Sequence, residues 1–200
     1  MSETILVTGA SAGFGQAICR RLVADGYRVI GSARRIEKLQ ALQEELGKAF
    51  YPLQMDVTDL SQVDHALASL PKAWERVDVL VNNAGLALGL APAYEAEVAD
   101  WLTMIQTNIV GLTYLTRKIL PQMVERNDGY IINLGSTAGT VPYPGANVYG
   151  ASKAFVKQFS LNLRADLAGK KIRVSNIEPG LCEGTEFSSV RFKGDEKRVE

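Results

Sequence analysis

The sequence predicts an α/β protein: a single doubly wound domain with helices on both faces of a parallel sheet. Three observations carry this expectation. Short apolar runs alternate with longer amphipathic ones along nearly the whole chain, the pattern of parallel strands joined by crossover helices. The runs Asp78-Val79-Leu80-Val81 and Tyr130-Ile131-Ile132-Asn133-Leu134 have the uninterrupted aliphatic character of strands buried on both faces. With 200 residues, of which 46% are hydrophobic and 22% charged, the chain can bury one sizeable core.

The elements follow in order. Thr4–Thr8 reads as the first strand, and a glycine-rich turn leads from it into a helix over Gly15–Ala24. Arg28–Ser32 and Ile36–Leu46 form the second strand and helix, and Phe50–Met55 and Gln62–Leu70 the third pair. Strand Val77–Asn82 precedes a long helix over Val98–Met123, strand Gly129–Leu134 precedes a helix over Ala151–Ala168, and Arg173–Glu178 is the sixth strand. Pro71, Pro121 and Pro142-Tyr143-Pro144-Gly145 punctuate element ends. No internal repeat, low-complexity tract or linker interrupts the pattern. Open sheets of this kind bind ligands beyond the carboxyl ends of their strands, where Thr8, Asn82, Ser136 and Pro179 fall.

Lys+Arg and Asp+Glu number 22 each, so no global field recruits nucleic acid or an anionic membrane, and small molecules are the expected partners. Cys19 and Cys182 fit neither a CxxC redox pair nor a zinc spacing. Met1–Leu6 lacks the charged and apolar segments of a secretory signal, and no run reaches the ~18 apolar residues of a membrane span. A reducing cytoplasm is the expected setting. His65, the only histidine, sits in a helical pattern among Val63, Ala66 and Leu67 and reads as solvated or half-buried. Neither a histidine triad nor a metal site is expected around it, and Leu134-Gly135-Ser136-Thr137-Ala138 is not the GxSxG of a serine hydrolase.

Chemistry-bearing motifs lie at the strand ends. Thr8-Gly9-Ala10-Ser11-Ala12-Gly13-Phe14-Gly15 follows the first strand and opens a helix. Glycines at 9, 13 and 15 allow close backbone approach, and the helix N-terminus offers free N–H groups to a pyrophosphate. After the second strand, Arg34 and Arg35 stand where an NAD-binding protein places a carboxylate. Two guanidiniums there suit the 2′-phosphate of NADP, although a solvated helix start is the plainer alternative. Asp56, followed by Val57, is positioned to accept from an adenine amine; it would equally cap the next helix, as Thr58 or Asp59 would.

Tyr149 and Lys153 are four residues apart, so if the stretch is helical they share one face. An ammonium beside a phenol favours phenolate and lowers the tyrosine pKa from about 10. Such a tyrosine exchanges a proton with an alcohol or carbonyl. Considered alone, the pair reads first as a surface Tyr/Lys spacing of a kind that recurs by chance; the rest of the chain reverses that reading.

Together these residues resemble the short-chain dehydrogenase/reductases: the TGxxxGxG turn at Thr8–Gly15, Asn82-Asn83-Ala84-Gly85, Asn108, Ser136, Tyr149-x-x-x-Lys153 and Pro179-Gly180 appear in that family's order. Residues 82–89 and 178–188 look like its NADP-dependent 3-hydroxy acid dehydrogenase branch, which includes serine and L-allo-threonine dehydrogenases. The resemblance implies a Rossmann fold and interconversion of a small 3-hydroxy acid with its 3-oxo acid or semialdehyde. It makes Tyr149 the general acid/base and Ser136 the donor to the substrate oxygen. Lys153 would bind the nicotinamide ribose and depress the Tyr149 pKa. Asn108 would hold a water linking Lys153 to solvent, unless it is a buried polar residue satisfied within its helix. Asn83, Gly85, Pro179, Gly180, Leu181 and Thr185 would line the cofactor, whereas Asn82 ties neighbouring strands. Arg191, in the segment 181–200 read as a substrate lid, is expected to pair with the substrate carboxylate.

Two departures qualify the match. Thr185 follows Pro179 by six residues where the family commonly has five, and the family continues for about fifty further residues with a seventh strand and last helix that contribute to a homotetramer. The domain is therefore expected to lack that strand and helix. An NADPH-dependent carbonyl or 3-oxoacyl reductase, or a non-enzymatic NADPH-binding regulator, are the alternatives.

Overall fold

The computed structural model describes residues 3–180 and 190–194. Strands β1 (Thr4–Thr8), β2 (Arg28–Ala33), β3 (Phe50–Gln54), β4 (Val79–Asn82), β5 (Gly129–Leu134) and β6 (Ile172–Ile177) form one parallel sheet in the order β3-β2-β1-β4-β5-β6. The order reverses between β1 and β4, which opens a crevice at their carboxyl ends. This is the doubly wound, Rossmann-like α/β architecture expected from the sequence.

Alternate strand residues serve opposite faces. Ile5, Val7, Val29, Val79 and Val81 pack against Cys19 of α1 (Gly13–Ala24) and Leu39 and Leu42 of α2 (Ile36–Leu46). Leu6, Ile30, Leu80 and Ile131 pack against Val63 of α3 (Leu60–Ala68), Leu115 and Ile119 of α5 (Leu112–Arg126) and Leu163 of α6 (Asn147–Asp166). Both faces being covered is why β1 and β4 read as unbroken apolar runs. A polar chain crosses the second face: Asn82 Nδ2 donates to Asn133 Oδ1 at 2.8 Å and Thr116 Oγ1 at 3.0 Å, and Asn133 Nδ2 donates to Ser160 Oγ at 2.8 Å. His65 is exposed on α3.

Three expectations shift. The single helix over Val98–Met123 is α4 (Val98–Ile105), a π-helical turn (Gln106–Gly111) and α5, which continues to Arg126. Apolar periodicity does not report one widened turn. Pro121 lies inside α5 and does not end an element; it is exposed, on the side where the carbonyl it leaves unmatched can be solvated. α6 starts four residues before Ala151, at Asn147, whose Oδ1 accepts from the Val148 N–H at 2.8 Å. Val148, Tyr149 and Gly150 are weak helix formers, so local propensity hid that first turn.

Candidate active site

The turn after β1 is built for glycine. Gly9 has φ +69°, and a Cβ on Gly15 would lie 2.2 Å from Gly9 O and 2.6 Å from Asn83 Nδ2. No side chain caps the α1 N-terminus and no acid stands in its first turn. The leading N–H groups and positive dipole end therefore face the crevice, a donor set that fits a pyrophosphate. Arg35 turns towards this loop, donating to Ser11 Oγ from Nε at 3.3 Å and Nη2 at 3.1 Å, and Arg34 is exposed beside it. Asp59, not Asp56, caps α3 by accepting from the Gln62 N–H at 3.0 Å. Asp56 Oδ1 accepts from the Thr58 N–H and hydroxyl at 2.9 and 2.8 Å, which holds it on the cavity wall beside Val57.

Thr8 joins the two sides of the crevice. Its Oγ1 accepts from the N–H groups of Asn83 at 3.0 Å and Ala84 at 2.9 Å, while Asn83 Nδ2 donates to Thr8 O at 2.8 Å. The loop after β4 is thus fixed to the loop after β1.

The proton-transfer candidates meet beyond β5. Ser136 begins the short turn Thr137–Gly139, where its Oγ accepts from the Ala138 N–H at 3.1 Å, and its side chain is hydrogen-bonded to Tyr149. Tyr149 and Lys153 lie one turn apart on α6, each 7% exposed. Lys153 Nζ donates to Leu134 O at 2.7 Å, and burial pulls its pKa down to about 8. The expectation that Lys153 acidifies Tyr149 needs correction. Burial raises the Tyr149 pKa above its ordinary value, and the opposing influences are the Ser136 hydrogen bond and the Arg191 charge. The ammonium is directed at the Leu134 carbonyl, 5.9 Å from the centre of the phenol ring.

Asn108 is buried in the π turn; Oδ1 accepts from Leu86 N–H at 2.9 Å, and Nδ2 donates to Leu86 O at 2.9 Å and Ser152 Oγ at 3.0 Å. Its bonds are therefore to the loop after β4 and to α6, not to its own helix. A methyl on Gly85 would sit 3.2 Å from Asn108 Oδ1 and 3.3 Å from Lys153 Nζ, so these polar atoms flank one point of the cavity wall.

Arg191 arrives on the far side. Its Nε donates to Gly89 O at 3.1 Å, and its guanidinium lies 5.5 Å from the Tyr143 ring and 5.8 Å from the Tyr149 ring. One cavity of about 1070 Å³ extends from Arg34, Arg35 and Asp56 to Ser136, Tyr149, Lys153 and Arg191, with Asn83, Pro179 and Gly180 between; Gly15 and Asn108 are not on its wall. Leu181 and Thr185 lie outside the described residues. Sequence reasoning missed Leu90 and Tyr143 on the same wall, where Phe192 of the expected lid segment also lies; Tyr143 was visible only as part of a Pro/Gly loop. Among the described residues no helix is long and apolar enough to cross a membrane, and no group of three or more His, Cys, Asp or Glu is placed to hold a metal.

A glycine-lined dinucleotide crevice ending in a Ser, Tyr and Lys cluster defines a class, and residues 3–196 match the short chain dehydrogenase family. The chain belongs to that family. It is 62% identical over 195 residues to the NADP-dependent 3-hydroxy acid dehydrogenase YdfG of Salmonella typhi, spanning 98% of this chain and 79% of that protein. It is 53% identical over 197 residues to the serine 3-dehydrogenase of Agrobacterium fabrum, spanning 98% of this chain and 78% of that protein. The solved closed form of a serine dehydrogenase complexed with NADP+ superimposes with a TM-score of 0.97 at 60% identity, covering 98% of this chain and 79% of that one.

Proposed function

We propose that this chain is an NADP-dependent oxidoreductase interconverting a small 3-hydroxy acid, of the L-serine, L-allo-threonine or 3-hydroxypropionate class, with its 3-oxo acid or semialdehyde. One observation carries the reading: a single cavity has the Arg34/Arg35 pair at one end and Ser136, Tyr149 and Arg191 at the other. The relatives named above support NADP and the hydroxy acid class.

In this reading the α1 N-terminus and the Gly9–Gly15 turn hold the pyrophosphate, Arg34 and Arg35 the 2′-phosphate, and Asp56 and Val57 the adenine. Asn83, Gly85, Pro179 and Gly180 line the path to the reacting end. When bound in oxidised form, the nicotinamide supplies a hydride acceptor and a positive charge that favours phenolate. Ser136 donates a hydrogen bond to the substrate oxygen, and Tyr149 takes the hydroxyl proton in oxidation and returns it in reduction. A Tyr149 pKa above the ordinary range makes the protein's own groups favour the protonated form that reduction uses. Lys153, with a pKa of about 8, exchanges protons in the working range, with a water held at Asn108 as the link to solvent. Arg191 pairs with the substrate carboxylate through its guanidinium fork.

A homotetramer in the cytoplasm completes the proposal. It is supported by the family resemblance and by Val98, Leu102 and Ile105, which form an exposed apolar row on α4, with Phe155 and Leu161 exposed on α6.

The test is an absorbance assay of NADP+ reduction with L-serine, L-allo-threonine, 3-hydroxypropionate and neutral secondary alcohols, repeated with NAD+. Turnover of the hydroxy acids with preference for NADP+ is expected, and Tyr149→Phe should abolish it while NADPH still binds. Preference for neutral alcohols would overturn the substrate class. Cofactor binding without turnover of any substrate would favour a regulator.

A further inference from the structure

Helix α4 lies behind the proposed carboxylate anchor. In its first turn Asp100, only 15% exposed, places Oδ1 2.9 Å from Lys193 Nζ. Two residues before that lysine, the Arg191 main chain and side chain make a reciprocal pair with Gly89: the Gly89 N–H donates to Arg191 O at 2.9 Å, and Arg191 Nε donates to Gly89 O at 3.1 Å. These contacts fix Arg191 by its backbone and by one guanidinium nitrogen. Its Nη2 is buried and has no hydrogen-bond partner among the described residues. A buried donor of this kind calls for an acceptor beyond those the described residues supply, which a bound carboxylate would provide. The adjoining residue of α4 holds the opposite wall, because Trp101 Nε1 donates to Asn147 Oδ1 at 3.1 Å, two residues ahead of Tyr149.

We propose that Asp100 is a positioning residue for substrate: its ion pair with Lys193, together with the Gly89–Arg191 pair, holds the Arg191 guanidinium over Tyr149 in the orientation that receives a carboxylate. This rests on the reading of Arg191 as the anchor. α4 then registers both walls of the substrate pocket at once, Tyr149 through Asn147 and Arg191 through Lys193. Without the ion pair, the segment 190–194 is docked for a smaller fraction of the time, and apparent substrate affinity falls by that fraction. For a pair with one partner largely exposed, the loss is about fivefold.

Steady-state kinetics with 3-hydroxypropionate at saturating NADP+ test this. Asp100→Asn should raise KM about fivefold with kcat within about twofold of wild type. The charge swap Asp100→Lys with Lys193→Asp should restore KM, which a loss of helix structure would not permit. In an Arg191→Ala background, Asp100→Asn should add nothing further. Full additivity in that background, an unchanged KM for Asp100→Asn, or a fall in kcat matching the change in KM would overturn the proposal. If Arg191→Ala alone leaves KM unchanged, the anchor reading itself fails; a raised KM there with no effect of Asp100→Asn removes only the positioning role.

Discussion

Thr8→Val isolates one hydroxyl. Thr8 is 2% exposed, and valine keeps its branched shape, so no cavity forms and the change removes the acceptor for the loop after β4 together with the hydroxyl's long 3.4 Å donation to Val81 O. The Asn83 N–H retains Val81 O at 3.0 Å, but among the described residues the Ala84 N–H, bonded to Thr8 Oγ1 at 2.9 Å, has no other acceptor. A part-buried donor left without a partner costs about 1–3 kcal/mol, and loss of the Thr8 bond to Asn83 adds to it. The sum is about 2 kcal/mol, a large share of the ~5–15 kcal/mol that folded domains possess. With a urea slope of about 2 kcal/mol per molar, the unfolding midpoint should fall by about 1 M. Thr8→Ser keeps the hydroxyl and should lose much less. NADPH affinity should weaken in parallel, because Asn83 and Gly85 hang from the same loop. An unchanged midpoint for Thr8→Val, or Thr8→Ser falling as far as Thr8→Val, would refute the reasoning.

Other expectations follow from the same geometry. Gly15→Ala places a methyl 2.2 Å from the backbone oxygen of Gly9, so the turn must move and the Kd for NADPH, read by fluorescence titration, should rise at least about tenfold. Replacing Arg34 and Arg35 together with alanine should cut the preference for NADP+ over NAD+ by about tenfold or more, measured as the ratio of kcat/KM values. Burial holds the native Lys153 pKa at about 8 against an ordinary lysine value of 10.5, so between those pH values the unfolded chain holds a proton that the native one lacks. Its contribution to stability therefore rises with pH across that window, by up to about 3 kcal/mol. Urea titrations should show wild type gaining on Lys153→Met over the same interval.

The parallel sheet was legible because both of its faces are covered, which leaves a strong apolar signature in β1, β4 and β5. Strand starts and ends were found to within two residues, since Gly and polar clusters bound them. What sequence concealed was of two physical kinds. The π turn at Gln106–Gly111 changes backbone pitch without changing the apolar period, and the early start of α6 depends on Asn147 reaching Trp101 and Ala91, contacts made across 46 and 56 residues. In the site, the glycine turn was visible through its place after β1, whereas Ser136, Tyr149 and Lys153 became legible only when the motifs were taken together in the order of a known family. The direction of the Tyr149 shift was not, because burial and the heading of an ammonium are properties of packing. Tyr143 and Asp100 were likewise silent: one sits in a loop with ordinary turn chemistry, and the other reads as a routine acid at a helix start.

The chain of amides through Asn82 and Asn133 acts as a keyway. These asparagines are directly paired positions on β4 and β5. Sliding β5 by one residue would turn the Asn133 amide to the opposite face, and sliding it by two would set it against Leu80, stranding Asn82, Asn133 and Ser160 in a dry interior. An aliphatic ladder would tolerate either misalignment far better. Because Asn83 directly follows one member and Ser136 comes three residues after the other, the same pin levels two loops of the candidate site that are distant in sequence.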